Sequence, residues 1–147
     1  MMEYGASIDP ARRSFILYAL GKIKSAEIVE ALPLALEAAE SPSLELRDTA
    51  TRALGKFAES IPPSRLSEKV RHMCIEKLQK NLADPNPGLR SKAVRSLGKL
   101  AKYNHLSSNE RAKLKSTCFL LLGKDENFEW DRAYVVRKEA EEALKYT

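Results

Sequence analysis

Ala19-Leu20-Gly21-Lys22-Ile23, Ala53-Leu54-Gly55-Lys56-Phe57 and Ser96-Leu97-Gly98-Lys99-Leu100 repeat one short pattern, and Ala143-Leu144-Lys145-Tyr146 repeats it faintly a fourth time. The register extends backwards. Eight residues before the glycine position stands an arginine in every copy: Arg13, Arg47, Arg90 and Arg137. Five before it stand Ile16, Ala50, Ala93 and Ala140, and fourteen before it stand Ser7, Ser41, Asp84 and Asp131. The copies recur at intervals of 34, 43 and 47 residues, which is the range of helical-repeat architectures.

Each copy reads as an amphipathic helix. Leu46, Ala50, Ala53, Leu54 and Phe57 fall on one face at helical spacing, and Leu89, Ala93, Leu97 and Leu100 do the same. Pro42 and Pro85 follow a small polar residue, and Pro87 takes a first-turn position, where a missing N–H costs little. A second helix lies between consecutive copies. Ser25 opens one over residues 25–39, in which Pro33 predicts a kink because apolar spacing continues through Leu34 and Leu36. Pro62-Pro63-Ser64 leads into one that reaches residue 83, with Leu66, Val70, Met73, Cys74, Leu78 and Leu82 as its stripe. Ser107-Ser108-Asn109-Glu110 has capping-box spacing and opens one that ends near Gly123. With no β-alternation, the pattern predicts an all-α chain of seven helices. A helix pair of this size cannot bury its stripe alone, so the expected architecture is an α-solenoid of antiparallel helix pairs over residues 9–23, 25–58, 64–102 and 107–147, forming one domain, 1–147.

The composition fits that expectation. A chain of 147 residues, 44% apolar and 31% charged, is long enough to bury a core without disulfides or a metal. Its apolar runs fall short of the ~20 residues of a membrane span, and its first residues lack a secretory pattern, so an intracellular, cytoplasmic protein is expected. Cys74 and Cys118 each lie four residues before a leucine and read as buried free thiols at matching repeat positions. His72 and Cys74 diverge on a helix, and no pairing of Cys and His has zinc spacing. Phosphate-loop, nucleophile-elbow and His-Glu-x-x-His patterns are absent, and Glu27, Glu30, Asp48 and His72 fall on separate helices. The expectation is therefore a protein that is not an enzyme and uses no cofactor.

The strings Asp84-Pro85-Asn86-Pro87-Gly88-Leu89-Arg90 through Ala93 to Leu97-Gly98, and Ser41-Pro42 through Leu46-Arg47 to Ala53-Leu54-Gly55, resemble HEAT repeats. In that family a small polar residue at the turn precedes an aliphatic residue and an arginine in the next helix, as in Asp84 with Leu89-Arg90 and Asp131 with Val136-Arg137. The first two copies carry Ser7 and Ser41 instead, and Arg12 replaces the aliphatic residue in the first. The resemblance implies a right-handed solenoid of about three and a half repeats that binds proteins, peptides or nucleic acid. The register begins and ends on the second helix of a pair, which is expected of a piece of a longer solenoid or of a small complete protein with atypical caps.

Charge is segregated along the chain. Residues 1–40 and 125–147 carry net charges of −2 and −3, whereas 41–83 and 84–124 carry +3 and +7. On the copy helices, Arg52, Lys56, Arg95 and Lys99 point away from the apolar face, and Lys22 is their equivalent in the first copy. Stacking aligns them into one stripe, a candidate ligand-binding surface in the groove that the resemblance assigns to second helices. The alternative is an ordinary solvated face. If the stripe binds, its partner is an acidic protein segment or, as the runner-up, nucleic-acid phosphates, for which only Tyr18 and Tyr146 offer stacking surfaces. Arg13, Arg47, Arg90 and Arg137 are read as structural, with Asp84 and Asp131 as partners between repeats. Phe128 and Trp130, in the longest departure from the repeat, are candidate partner anchors, the alternative being a cap over the last helix pair.

Overall fold

Small polar side chains start the helices. In a computed structural model that describes residues 9–126 and 129–147, Asp9 caps α1 (Pro10–Leu20), Ser43 caps α3 (Leu44–Ser60) and Ser67 caps α4 (Glu68–Asn81). Asn86 caps α5 (Pro87–Lys102) and Ser107 caps α6 (Ser108–Leu121), each side chain accepting a backbone N–H of the first turn. Ser107 and Glu110 form the reciprocal capping box that their spacing predicts. The remaining helices are α2 (Leu32–Ala38) and α7 (Tyr134–Leu144). Helices α5 and α6 stop on left-handed residues, Asn104 (φ 65°) and Gly123 (φ 70°). The next amides reach back to Leu100 O and Phe119 O, both at 2.8 Å, which is the Schellman closure. Among the described residues the chain is all-helical, the one exception being an isolated bridge between Leu122 and Trp130.

Two helices expected between the copies are split. Ala26–Ala31 forms a 3-10 turn and α2 begins afresh at Leu32, so Pro33 lies in the first turn of a helix and does not kink a longer one. A proline is comfortable there because the first amides have no partner inside the helix. Likewise Pro63–Arg65 is a 3-10 turn, Leu66 is extended, and α4 starts only after Ser67. The paired prolines hold Pro62 extended (φ −64°, ψ 146°), and the Ser67 cap provides the restart.

The copies pack in series: α1 on α3, α3 on α5, and α5 on α7, with α2, α4 and α6 flanking α3, α5 and α7. The predicted apolar faces of α3 and α5 are buried throughout, as are Cys74 and Cys118. Burial pushes these thiols up to about 12 and about 11, so both stay protonated and inert at neutral pH.

The repeated glycine marks the line of closest approach. A Cβ on Gly55 would lie 2.5 Å from Ser96 Oγ and 3.0 Å from Ser96 Cα on α5, and one on Gly98 would lie 3.0 Å from Ala143 Cβ on α7. Ser96 holds its side of the contact by donating to Thr51 O at 2.7 Å, and Asn81 Nδ2 donates to Thr51 Oγ1 at 2.9 Å from α4. Gly21 is looser, its nearest neighbour on another helix being Lys56 Cβ at 3.7 Å.

Two of the repeated arginines, Arg47 and Arg90, join one copy to the next. Arg47 donates to Ser41 O in its own turn and to Asp84 Oδ2, 3.0 Å away in the following one. Arg90 does the same with Asp84 O and grips Asp131 through two N–H groups at 2.9 and 3.0 Å. Asp84 and Asp131 each also accept the amide two residues on, at 2.9 Å, which fixes the carboxylate in its turn. Burial alone would raise the Asp131 carboxyl, but the Arg90 hydrogen bonds, the Ala133 amide and the charges of Arg90 and Arg137 hold it below the usual carboxylate range. A second ladder runs beside the first: Ser14 and Thr49 hydroxyls meet at 2.5 Å, and the corresponding positions of the next joint are Asp48 and Lys92, paired at 2.7 Å.

Two predictions follow from these joints. Gly55→Ala forces backbone apart and should lose about 1–2 kcal/mol in urea unfolding, because overpacking outweighs the helix-propensity gain. Gly21→Ala should be neutral or stabilising by less than about 1 kcal/mol, and equal effects at the two sites would refute the close-approach account. Arg90→Ala removes both guanidinium bonds from a shielded Asp131 and should cost about 2–3 kcal/mol, with Arg47→Ala, which breaks a single bond to Asp84, costing less.

Candidate functional site

The stripe residues follow from the same geometry. Gly21, Gly55 and Gly98 are each followed by a lysine, so the contacts that bring α1, α3 and α5 together also bring Lys22, Lys56 and Lys99 into line. One turn earlier on the same faces stand Tyr18, Arg52 and Arg95. Lys22, Arg52 and Lys56 line a cleft of about 270 Å³ between α1 and α3, together with Tyr18, Lys24 and Glu59. Arg95 and Lys99 line a second cleft, of about 360 Å³, between α5 and α7, where Lys102, Lys138, Glu142 and Tyr146 join them.

The two clefts are electrostatically continuous. Lys56 titrates below the ordinary lysine range chiefly because of the Lys99 charge, then because of partial burial and the charges of Arg52 and Arg95; Glu59 opposes the shift. Lys99 Nζ reaches Glu59 at 2.6 Å, which makes Glu59 the carboxylate that links the two clefts. Burial raises the Glu59 carboxyl, but the Lys99 hydrogen bond and the charges of Lys99, Lys56 and Lys24 prevail and lower it. The Tyr18 ring carries Lys22 Nζ 4.7 Å from its centroid and the Arg52 guanidinium 5.2 Å from it. These cations, Lys22 foremost, hold the Tyr18 phenol below its usual range. At the far end Lys102 lies 5.5 Å from the rings of both Tyr103 and Tyr146.

All five stripe residues are therefore brought together. Glu59 and Lys102 line the same clefts without having been singled out from the sequence, although the signal is present. They stand four residues after Gly55 and Gly98, the next turn down the same face as Arg52 with Lys56 and Arg95 with Lys99.

Trp130 does not cap the last helices. Its backbone is held by the bridge to Leu122, by the Asp131 amide on Leu121 O at 2.8 Å and by close contact with Gly123, while the residue stays 63% exposed. Fixing the main chain inward turns the indole outward, where the Arg137 guanidinium lies 5.4 Å from it and 5.9 Å from the Tyr134 ring. Arg137 also donates to Asp131 O at 2.7 Å, so it has a structural partner and an aromatic one. Phe128 lies outside the described residues.

Among the described residues no helix is long and apolar enough to cross a membrane, and no group of three or more His, Cys, Asp or Glu side chains is arranged to hold a metal ion. No protein-family model matches the chain, and no curated protein matches it.

The exposed indole gives a direct check on the geometry of the 129–131 segment. Trp130, the only tryptophan, should emit at the red-shifted position of a solvated indole and be quenched readily by acrylamide. A blue-shifted, protected emission would restore the cap.

Proposed function

We propose that this chain is a HEAT-like, right-handed α-solenoid acting inside the cell as a non-catalytic scaffold, and that the stripe on α1, α3 and α5 docks an acidic segment of a partner protein. The serial packing of α1, α3, α5 and α7, each with a flanking helix, supports the solenoid part of this reading. The observation that carries the docking part is the crowding around Lys56, whose protonated form is opposed by Lys99, Arg52 and Arg95. Like charges gathered at a partly shielded site destabilise the free protein, and an anionic partner removes that penalty. Nucleic acid is the second reading. It is less well supported because the Tyr18 face that would stack on a base already carries two cations, Lys22 and Arg52.

Titration of the full chain with a fluorescent glutamate-rich peptide tests the proposal. Binding should weaken markedly as salt rises from ~50 to ~200 mM, through screening of exposed charge. The double variant Lys56→Glu/Lys99→Glu should lower affinity roughly tenfold or more. Tight, salt-sensitive binding of duplex or single-stranded nucleic acid in preference to the peptide would replace the first reading by the second. A folded protein that binds neither would overturn the docking role.

A further inference from the structure

The two clefts differ in a way that assigns a chemistry to one of them. The cleft between α5 and α7 mixes signs, with Glu139 and Glu142 among its lysines and arginine. The cleft between α1 and α3 has Lys22, Lys24, Arg52 and Lys56 on its walls and Glu59 as its one carboxylate. That carboxylate is engaged from the opposite side by Lys99, at 2.6 Å. The four cations of the α1–α3 cleft have no ion pair of that kind among the described residues.

Their heads also converge. Lys22 comes from the end of α1 and Arg52 from α3, and both lie over the same Tyr18 ring, at 4.7 and 5.2 Å. The Tyr18 phenol at the end of that ring can act as a further donor. At about 270 Å³ the space is slightly smaller than the ~300 Å³ at which pockets for drug-sized molecules begin, so it suits a single small group. A carboxylate brings one charge to this site. A phosphate monoester brings close to two, with three acceptor oxygens for a guanidinium, ammonium groups and a phenol to share.

Resting on the docking role proposed above, we infer that the cleft formed by Tyr18, Lys22, Arg52 and Lys56 is a binding site for a phosphate monoester carried by the docked protein segment. The stripe beyond it, through Arg95 and Lys99, takes the acidic residues of the same segment. The site recognises the phosphorylated form of a partner and discriminates against the unmodified one.

The test compares an acidic peptide with and without one phosphoserine, alongside an amide chemical-shift titration of the full chain with inorganic phosphate at constant ionic strength. The phosphopeptide should bind at least tenfold more tightly, and inorganic phosphate should shift amides around Tyr18, Lys22 and Arg52 before those around Arg95. Lys22→Ala and Arg52→Gln, at positions that make no hydrogen bond across the core, should abolish the gain from phosphorylation, bringing the phosphopeptide within about twofold of the unmodified peptide measured on the same variant. Arg95→Ala should weaken both peptides equally.

Equal binding of the two peptides overturns the phosphate site and leaves the docking surface standing. Failure of both peptides to bind, with phosphate still shifting the Tyr18 region, overturns the docking role and keeps the site. Phosphate shifts spread evenly over the basic residues overturn the site, and a 5′-phosphorylated oligonucleotide that outcompetes the phosphopeptide overturns the assignment to protein.

Discussion

The architecture depends on how closely one copy helix can approach the next. At Gly55 and Gly98 the partner helix comes within the space that a methyl group would fill, against Ser96 and Ala143. Everything on the adjoining face inherits that distance. Because a lysine follows each glycine and an arginine precedes two of them by three residues, tight packing in the core is also crowding of cations at the surface. The lowered Lys56 and the Lys99–Glu59 contact are the two electrostatic responses to it, one a weakened hold on the proton and the other a local counterion.

The arginine ladder solves a different problem, that of register. The Arg47 and Arg90 guanidiniums are each anchored on the carbonyls of their own turn and reach the carboxylate of the following turn, so the rotation of one copy against the next is fixed at these joints by a planar, hydrogen-bonded group. This explains how the spacing between copies can vary from 34 to 47 residues without disturbing the stack. The extra residues fall in the flanking segments, whereas the joints are made between positions that keep their offset from the glycine.

Much of this was legible in the sequence, and the gaps have physical causes. The apolar spacing of α3 and α5 identified residues that are in fact buried, because an amphipathic helix leaves little choice of face. The alignment of Lys22, Arg52, Lys56, Arg95 and Lys99 followed from repeat register alone. The breaks before α2 and α4 did not, since a proline inside an apolar pattern is compatible with a kink, a first turn or a restart, and the backbone at Ala31 and the Ser67 cap on Val70 select among them. Asp84 and Asp131 were read as partners of the repeated arginines, but local spacing does not show that each carboxylate serves the arginine of the preceding copy. For Trp130 the sequence leaves anchor and cap both open, because exposure depends on which way a loop backbone is pinned, and here Leu122 and Gly123 pin it so that the indole is exposed.

The three joints between copies are not equally strong. Between α3 and α5 the glycine contact is tight, Arg47 pairs with Asp84, and Lys92 meets Asp48. Between α1 and α3 the glycine contact is looser and a pair of hydroxyls, Ser14 and Thr49, stands where the ion pair would be. Pulled along its length, such an array would yield first at α1, like a chain with one softer link. The cleft lined by Tyr18, Lys22, Arg52 and Lys56 straddles that link. An anion seated there would act as a rivet across the weakest seam, turning occupancy into stiffness.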